Sequence, residues 1–260
     1  MKLITKKILD FKMYLDTEDQ GISKELIDHG IRERFSVACM RSILRADMNV
    51  LDLGANIGFY AIIESKIVNH VYAIEPVKYN YNLLKKNIRL NGCSNVSTYQ
   101  VAIGGHTGAS KIYTSKRCNW ASIVPEENRT PDYSQRWDKF KKGSENVQMF
   151  TLDDFMDKNS IDKIDLLRMD VEGAEVDIIA GGLKTIKDMA KESYLVIEIH
   201  SSCIKNKDTI GRMLDQISGA GFKCIKVVNR LKEFNLDGIT DIRDFLIYRV
   251  GCPQVFFKKI

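Results

Sequence analysis

The chain has 260 residues, of which 44% are hydrophobic and 28% charged, and this composition excludes a collagen-like or disordered chain and favours a folded globular protein. Its 39 Lys and Arg against 34 Asp and Glu give a formal net charge of +5, which permits an anionic partner without requiring one. It contains neither a run of about 18 apolar residues nor a signal peptide, and its six cysteines form no C-x-x-C pair. The sequence therefore predicts a cytoplasmic protein without a membrane span, a zinc site or a disulfide framework.

The first 47 residues are predicted to form a short, mainly helical extension that packs on a core domain of residues 48–260. Within the extension, Ile8–Leu15 is predicted to be extended. Apolar residues then recur at helical spacing, Gly30 interrupts this pattern, and a second helical turn follows near Cys39. The pattern leaves open whether the extension only packs on the core or also shapes a pocket.

From Asn49 onward, short apolar runs alternate with helical patterns. The predicted strands are 49–53, 70–75, 96–103, 164–169, 194–199, 222–228, 245–250 and 254–259, with the pairing of the last two left open. The predicted helices are 58–67, 80–90, 173–189 and 207–217. Because the strands are almost continuously apolar, we predict an α/β fold with a doubly wound, mostly parallel, seven-stranded sheet and helices on both faces.

A glycine-bearing turn, Gly54–Gly58, ends the first strand of this core. Its G-x-x-x-G spacing differs from that of dinucleotide-binding turns and of phosphate loops. Asp52, just before the turn, would repel a pyrophosphate, whereas Glu75, at the end of the second strand, can accept hydrogen bonds from both hydroxyls of a ribose. These residues predict a site for a nucleoside without a diphosphate, such as S-adenosylmethionine. The alternative is a tight strand–helix turn beside a solvated glutamate.

At these residues the chain resembles the class I methyltransferases and, within them, the FkbM family. The resemblance is carried by Val50–Tyr60, Val71–Pro76, Thr151–Phe155 and Asp165–Glu175, and it departs from the family pattern at Arg168, where a Lys is usual. It implies a Rossmann-like fold and S-adenosylmethionine-dependent methyl transfer, most often to a hydroxyl of a sugar, a glycoconjugate or a secondary metabolite. The cofactor-binding residues expected on this basis are Asp52, Gly54, Ala55, Asn56, Gly58, Phe59, Glu75, Pro76, Ala102 and Asp170.

Acidic residues and a histidine follow two of the predicted strands. Asp170 and Glu172 follow one strand, and alternation places Glu198 and His200 on one face at the end of another. Methylation of an alcohol requires removal of the hydroxyl proton, so we expect His200 or Asp170 to act as the base and Glu198 or Glu172 to orient the acceptor. The alternatives are that His200 only binds substrate and that the acids merely favour the start of a helix. A metal ion on Asp170, Glu198 and His200 is conceivable, but none is expected.

An insert at 111–146 is predicted to be irregular, basic and aromatic. Between Lys111 and Lys142 it holds eight basic and four acidic residues, a net charge of +4, which leaves +1 for the other 228 residues. Cations interleaved with aromatic rings suit stacking on a sugar or a nucleobase next to an anionic group. We therefore expect Trp120, Arg117 and Trp137 to bind the acceptor as part of a lid. The alternative is a solvated loop anchored by its tryptophans.

Three functions are consistent with these features. A methyltransferase acting on a small-molecule or glycan acceptor is favoured. A tRNA or rRNA methyltransferase that uses the basic insert is possible but not favoured, because neither an RNA-binding module nor an Asn-Pro-Pro-Tyr-type motif is present. A cofactor-binding partner subunit without catalysis is the third. The acceptor and the oligomeric state are open.

Overall fold

The computed structural model describes residues 2–239, 241–250 and 252–260. The chain opens with a hairpin of β1 (Leu3–Ile8) and β2 (Phe11–Asp16), paired antiparallel around Leu9, whose φ is 53°. The prediction of one extended piece was therefore wrong, because a two-residue turn divides it. The apolar side of the hairpin, including Met13, is buried in the same core cluster as the residues of the main sheet.

Ten α-helical segments lie in the described parts of the chain. They are α1 (Ile22–His29), α2 (Arg34–Ile43), α3 (Phe59–Ser65), α4 (Lys78–Leu90), α5 (Pro131–Asp138), α6 (Leu152–Lys158), α7 (Glu175–Ala180), α8 (Leu183–Asp188), α9 (Lys207–Gly219) and α10 (Ile242–Asp244). Gly30 ends α1 at a φ of 72°, as its position predicts. The predicted helix 173–189 is instead α7 and α8, because Gly181 and Gly182 break it where the backbone meets Leu152. Within the described residues no helix combines the length and apolarity needed to cross a membrane.

The main sheet has eight strands in the order β12-β11-β13-β10-β9-β3-β4-β5. They are β3 (Asn49–Leu53), β4 (His70–Ile74), β5 (Val96–Tyr99), β9 (Leu166–Met169), β10 (Tyr194–Glu198), β11 (Phe222–Val228), β12 (Glu233–Phe234) and β13 (Gln254–Lys259). The strands β10, β9, β3, β4 and β5 form a continuous parallel block, whereas β13 runs antiparallel to both of its neighbours. The predicted Rossmann-like α/β sheet is thus present, but the count of seven strands was wrong, because the two-residue β12 adds an eighth.

The sheet is covered on both faces. One core cluster contains residues of α3 and α4, and a second contains residues of α6, α7 and α9. At the carboxyl-terminal part of the chain, 245–250 is not a strand: Phe245–Arg249 forms a π-helical turn, and β13 inserts between β10 and β11. The prediction failed there because a short apolar run does not distinguish a strand from a buried helical turn. Leu246 of that turn is fully buried.

A separate three-stranded sheet includes both ends of the insert predicted to be irregular, whereas residues 116–130, all of which the structure describes, hold no strand of this sheet and only one 3-10 turn, Glu126–Asn128. The sheet is formed by β6 (Ala102–Ile103), β7 (Gly108–Ser115) and β8 (Lys141–Phe150), in the order β6-β8-β7. The predicted strand 96–103 is therefore two strands that belong to different sheets. The helix α5 lies between β7 and β8. Most of β8 is exposed and lacks apolar alternation, so its sequence carried no strand signal.

Candidate active site

The turn after β3 lies against the end of β9. Gly54 has a φ of 82°, and a Cβ added there would lie 2.0 Å from the carbonyl oxygen of Asp170. Any side chain would therefore force the two loops apart, and the left-handed φ itself favours glycine. Asn56, in the same turn, also has a positive φ of 51°. Gly54 thus allows the turn and Asp170 to come into contact.

Glu75 connects this turn to the end of β4. Its carboxylate accepts hydrogen bonds from the backbone N–H groups of Asn56 and Val77, each at 2.9 Å. Burial raises the pKa of Glu75 to about 7, although these two hydrogen bonds act in the opposite direction. Ionisation of the Glu75 carboxylate therefore costs free energy unless a further hydrogen-bond donor is present.

The structure brings six of the expected cofactor residues together around one narrow space, which we call the turn cleft. They are Gly54, Asn56, Glu75, Pro76, Ala102 and Asp170. Ala55 and Phe59 line a small adjoining space that Asn56 also borders. Gly58 instead packs on α4, where an added Cβ would lie 2.8 Å from Leu84.

Asp52 does not face the turn cleft. It is fully buried, and its Oδ1 accepts a hydrogen bond from Nη1 of Arg168 at 2.8 Å. The other terminal nitrogen of Arg168 donates to Asp170 Oδ2 at 3.3 Å. The expectation that Asp52 contacts the cofactor directly is corrected accordingly, because Asp52 is the register partner of Arg168 on β9, shares one face of the sheet with it and lies buried against it. Asp52 acts on the cleft through Arg168 and Asp170, and its charge also contributes to the raised pKa of Glu75.

Residues 118–121 of the insert cover the turn cleft. Cys118 accepts hydrogen bonds through its carbonyl oxygen from the side-chain amides of Asn56, at 2.8 Å, and Asn80, at 2.9 Å. The cleft has a volume of about 50 Å³, far below the roughly 300–1,000 Å³ of cavities that hold small molecules. The Oδ1 atom of Asn56 is buried and has no hydrogen-bond partner among the described residues. The cleft therefore offers an unused acceptor but is closed by the insert.

A second space of about 760 Å³, which we call the large cavity, adjoins the turn cleft. Residues of the N-terminal extension, including Arg32, line one of its sides, and Arg117 and Trp120 of the insert line another. Asp170 and Glu172 line both the turn cleft and the large cavity. The two spaces therefore meet at these carboxylates, and the N-terminal extension shapes the larger one.

His200 lies at the centre of a group of carboxylates. Its Nδ1 is 2.6 Å from Glu175 Oε1, and its Nε2 lies 3.6 Å from Glu172, 3.7 Å from Glu198 and 3.8 Å from Asp170. Burial opposes the imidazolium charge, but Glu172 and Glu175 outweigh it and raise the pKa of His200 well above its ordinary value. An imidazole in this state does not take up a proton at neutral pH, which disfavours His200 as the base.

Glu172 and Glu198 are poorly solvated carboxylates. Burial raises the pKa of Glu172 to about 7 against the opposing effect of His200. Burial, together with the charge of Asp170, raises the pKa of Glu198 to about 8. Glu172 also has a positive φ of 53°. Backbone strain of this kind persists where the surrounding structure enforces it, often at functional sites.

Glu175 and Tyr133 contribute to this group although the sequence did not assign them to it. Glu175 is fully buried against His200, and the hydroxyl of Tyr133 donates to Glu172 Oε2 at 3.3 Å. Glu175 follows the same strand as Asp170, where a charge that favours the start of a helix is an equally good interpretation of the sequence, and Tyr133 comes from the insert. Both contacts join distant parts of the chain, so no local pattern could have identified them.

The three insert residues expected to bind the acceptor separate into two groups. Arg117 stacks on Trp120, with 4.6 Å between the guanidinium carbon and the ring centroid, and both line the large cavity. Trp137 is fully buried, packs near Tyr133, and lies under Arg129 at 4.4 Å. The expectation for Trp137 is therefore corrected: it anchors α5 and does not face the cavity.

The comparisons with known proteins agree on one class. The profile of the methyltransferase FkbM domain matches residues 52–224. The 2-O-methyltransferase NoeI of Sinorhizobium fredii is 28% identical over 151 residues, which are 55% of this chain and 60% of NoeI. The methyltransferase sdnD of Sordaria araneosa is 27% identical over 157 residues, which are 51% of this chain and 59% of sdnD. The matches thus span less than two thirds of these relatives.

The fold also has a counterpart among solved structures. A Streptococcus mutans protein, described as a methyltransferase and crystallised in complex with SAH, superposes with a TM-score of 0.50 at 9% identity. The superposition covers 88% of this chain and 98% of that one. At this level of identity the likeness concerns the fold alone.

Proposed function

Because the chain belongs to the FkbM methyltransferase family, we propose that it is an S-adenosylmethionine-dependent enzyme that methylates a hydroxyl of a sugar, a glycoconjugate or a secondary metabolite. The observation that carries this proposal is that Asp170 and Glu172 line both the turn cleft and the large cavity. Group transfer needs donor and acceptor to meet at one point, and alignment of reactants can supply about 7–11 kcal/mol of catalysis. We assign the turn cleft to the cofactor and the large cavity to the acceptor.

The turn cleft has the groups that a nucleoside with an amino-acid end requires. Glu75 is an acceptor for ribose hydroxyls, and the unused Oδ1 of Asn56 is an acceptor for an ammonium group. When bound, S-adenosylmethionine supplies a methyl group activated by its sulfonium. Because the cleft is narrow, residues 118–121 must move aside on binding, and the bonds from Asn56 and Asn80 to Cys118 must break.

The large cavity suits a polar acceptor with a flat face. Trp120 offers a ring for stacking, and Arg117 and Arg136 add positive charge to the lining of the same cavity. The part of the lining that comes from the N-terminal extension is polar as well. A hydroxyl-bearing ring such as a sugar matches this lining, and the relative NoeI is named a 2-O-methyltransferase.

Glu172 is the residue we propose to accept the hydroxyl proton. Its Oε1 has no hydrogen-bond partner among the described residues, whereas its Oε2 accepts the hydrogen bond from Tyr133. It lines both spaces, so an acceptor hydroxyl that reaches the turn cleft lies next to it. Asp170 stays oriented by Arg168 at the same junction.

The proposed function is tested by transfer of a tritiated methyl group from S-adenosylmethionine to fractionated extract. We expect label in the glycan or small-molecule fraction and little in the RNA or lipid fraction. Label confined to RNA, with an affinity that falls steeply with salt, would replace the proposal by an RNA methyltransferase. Cofactor binding without label in any fraction would favour a partner subunit without catalysis.

Glu75 gives the cofactor affinity a defined pH dependence. Its pKa is raised to about 7, mainly by burial and to a smaller extent by the charge of Asp52. Ribose hydroxyls donate to the carboxylate form, so affinity must rise with pH through this range. We expect the dissociation constant of S-adenosylmethionine to fall about tenfold between pH 6 and pH 8, measured by calorimetry.

The variant Glu75→Gln provides the control for this pH dependence. It keeps the shape of the side chain but cannot ionise, so it should bind S-adenosylmethionine more weakly at pH 8 and lose the contribution of residue 75 to the pH profile. An unchanged profile in the variant would show that other groups cause the dependence and that Glu75 does not contact the ribose.

A further inference from the structure

We propose that Asp170, Glu198 and His200 form a site for one divalent cation of the Mn²⁺ or Zn²⁺ type on the wall of the large cavity. One ligand atom from each lies within 4.8 Å of those of the others. A set of two carboxylate oxygens and one imidazole nitrogen suits such a cation better than Ca²⁺, which prefers oxygen alone. The site can be tested without cofactor or acceptor, so its existence does not depend on the proposed function.

His200 is held in the orientation that a metal ligand requires. Its side chain is only 5% exposed, and its Nδ1 is fixed by Glu175 Oε1 at 2.6 Å. Glu175 is itself held by the backbone N–H of Gly173 at 3.1 Å. The Nε2 atom has no hydrogen-bond partner among the described residues, although the ring lines the large cavity. A histidine whose second nitrogen is fixed by a carboxylate is typical of metal sites.

Each of the two carboxylates also has an oxygen that faces His200 and has no hydrogen-bond partner in the described part of the chain. Asp170 Oδ2 accepts the hydrogen bond from Arg168, whereas Oδ1 faces His200 Nε2 at 3.8 Å. Glu198 Oε1 faces the same nitrogen at 3.7 Å, and neither of its oxygens has a hydrogen-bond partner among the described residues. The unused atoms of three separately positioned side chains therefore converge on one point.

The separations fit ligands around an ion. Distances of 3.7 and 3.8 Å are too long for hydrogen bonds between the side chains themselves. Two atoms that each bind one cation at about 2.0–2.2 Å can be up to about 4.4 Å apart, so both distances are within reach of a common ion. The third separation, between the ligand oxygens of Asp170 and Glu198, is within 4.8 Å, so a small side-chain adjustment is enough to complete the set.

The charges around His200 also favour a cation. Four carboxylates, those of Asp170, Glu172, Glu175 and Glu198, surround this one imidazole within 3.8 Å. Arg168 donates a hydrogen bond to one of them, Asp170, and is shared with the buried Asp52, and the charge of Arg32 also acts on Asp170. A dication that displaces the proton from His200 Nε2 would offset the negative charge of these carboxylates in their ionised form. If the proposed function is correct, it would also bind the acceptor oxygen and lower the pKa of its hydroxyl.

Manganese binding to the purified, chelator-treated full chain tests this site. We expect one Mn²⁺ per chain, detected by loss of the free-ion electron paramagnetic resonance signal, and displacement of it by Zn²⁺. Glu198→Gln should weaken Mn²⁺ binding at least tenfold, and Asp170→Asn should do the same. Asp188→Asn is the matched control, because Asp188 lies in a separate acidic groove with Asp157 and Asp162; it should leave binding unchanged.

Two outcomes would overturn the cation site. One is the absence of saturable Mn²⁺ and Zn²⁺ binding up to millimolar concentration. The other is binding that Glu198→Gln leaves unchanged while circular dichroism shows a native fold. Asp170 also bonds Arg168, so Asp170→Asn can fail to fold. In that case Glu198→Gln alone tests whether these residues bind the cation. Methyl transfer that persists in EDTA would show that the cation has no catalytic role, but it would not contradict cation binding. A failure of the transfer assay would leave the Mn²⁺ result unaffected.

Discussion

Replacing Arg168 by Met is expected to lower the free energy of unfolding by about 3–5 kcal/mol at pH 7. Arg168 is 2% exposed and joins two carboxylates, those of Asp52 and Asp170, through its two terminal nitrogens. Its guanidinium also lies 3.9 Å from the ring centroid of Tyr60. Removal leaves Asp52 as a buried charge without a partner, which costs more than the ion pair itself contributes.

The pH dependence of this loss has a defined sign. Burial already raises the pKa of Asp52, and the arginine acts in the opposite direction. Without the guanidinium this pKa rises further, so protonation relieves the cost as the pH falls. The deficit of the variant should therefore be largest above pH 7 and shrink towards pH 5, measured by urea unfolding followed by circular dichroism.

Two further variants separate the charge of Arg168 from its shape. Arg168→Lys keeps the charge and should lose clearly less stability than the Met variant. The double variant Asp52→Asn with Arg168→Met removes the buried charge and should recover part of the loss, which a double-mutant cycle quantifies. Equal losses of stability in the Lys and Met variants would contradict this. They would show that Arg168 stabilises the fold through its packing and not by neutralising the charge of Asp52.

The parts of the fold that could be predicted are those with a strong local pattern. The strands around Leu51 and Ile197 are nearly continuous apolar runs, and Gly54 stands at a turn whose φ requires it. The strand β8 and the two-residue β12 carry no such pattern. The π-helical turn at Phe245–Arg249 has an apolar pattern that a strand would share. Local sequence thus indicated the core and missed the elements that depend on tertiary pairing.

The candidate site, like the fold, could be predicted from local sequence only in part. The sequence identified Asp170 and His200 as neighbours at the sheet edge, because the carboxyl ends of parallel strands lie together. It could not show that Glu175 holds His200, or that Asp52 turns away towards Arg168. Likewise, the composition of the insert suggested that both of its tryptophans face an acceptor. Trp137 is instead buried under Arg129, so it does not face the large cavity. Which side of an element a residue faces was decided by packing.

The variant Glu172→Gln is expected to lower the turnover number by about 10²–10⁴-fold, the usual contribution of a positioned base. The amide matches the carboxylate in size and can keep the hydrogen bond from Tyr133, but it cannot take up the hydroxyl proton. Because Glu75 and Asn56 are unchanged, the dissociation constant of S-adenosylmethionine should stay within about threefold. Single-turnover kinetics with the acceptor found by the transfer assay, together with calorimetry, measure the two quantities.

Tyr133→Phe is the matched control for Glu172→Gln. It removes the hydroxyl that bonds Glu172 Oε2 but leaves the carboxylate in place. The loss of one hydrogen bond, about 0.5–1.5 kcal/mol, should reduce turnover no more than about tenfold. Turnover of Glu172→Gln within fivefold of the unmodified enzyme would instead place the proton acceptor elsewhere. Asp170 would then be the remaining carboxylate that lines both spaces, and the junction would orient the acceptor without Glu172 taking its proton.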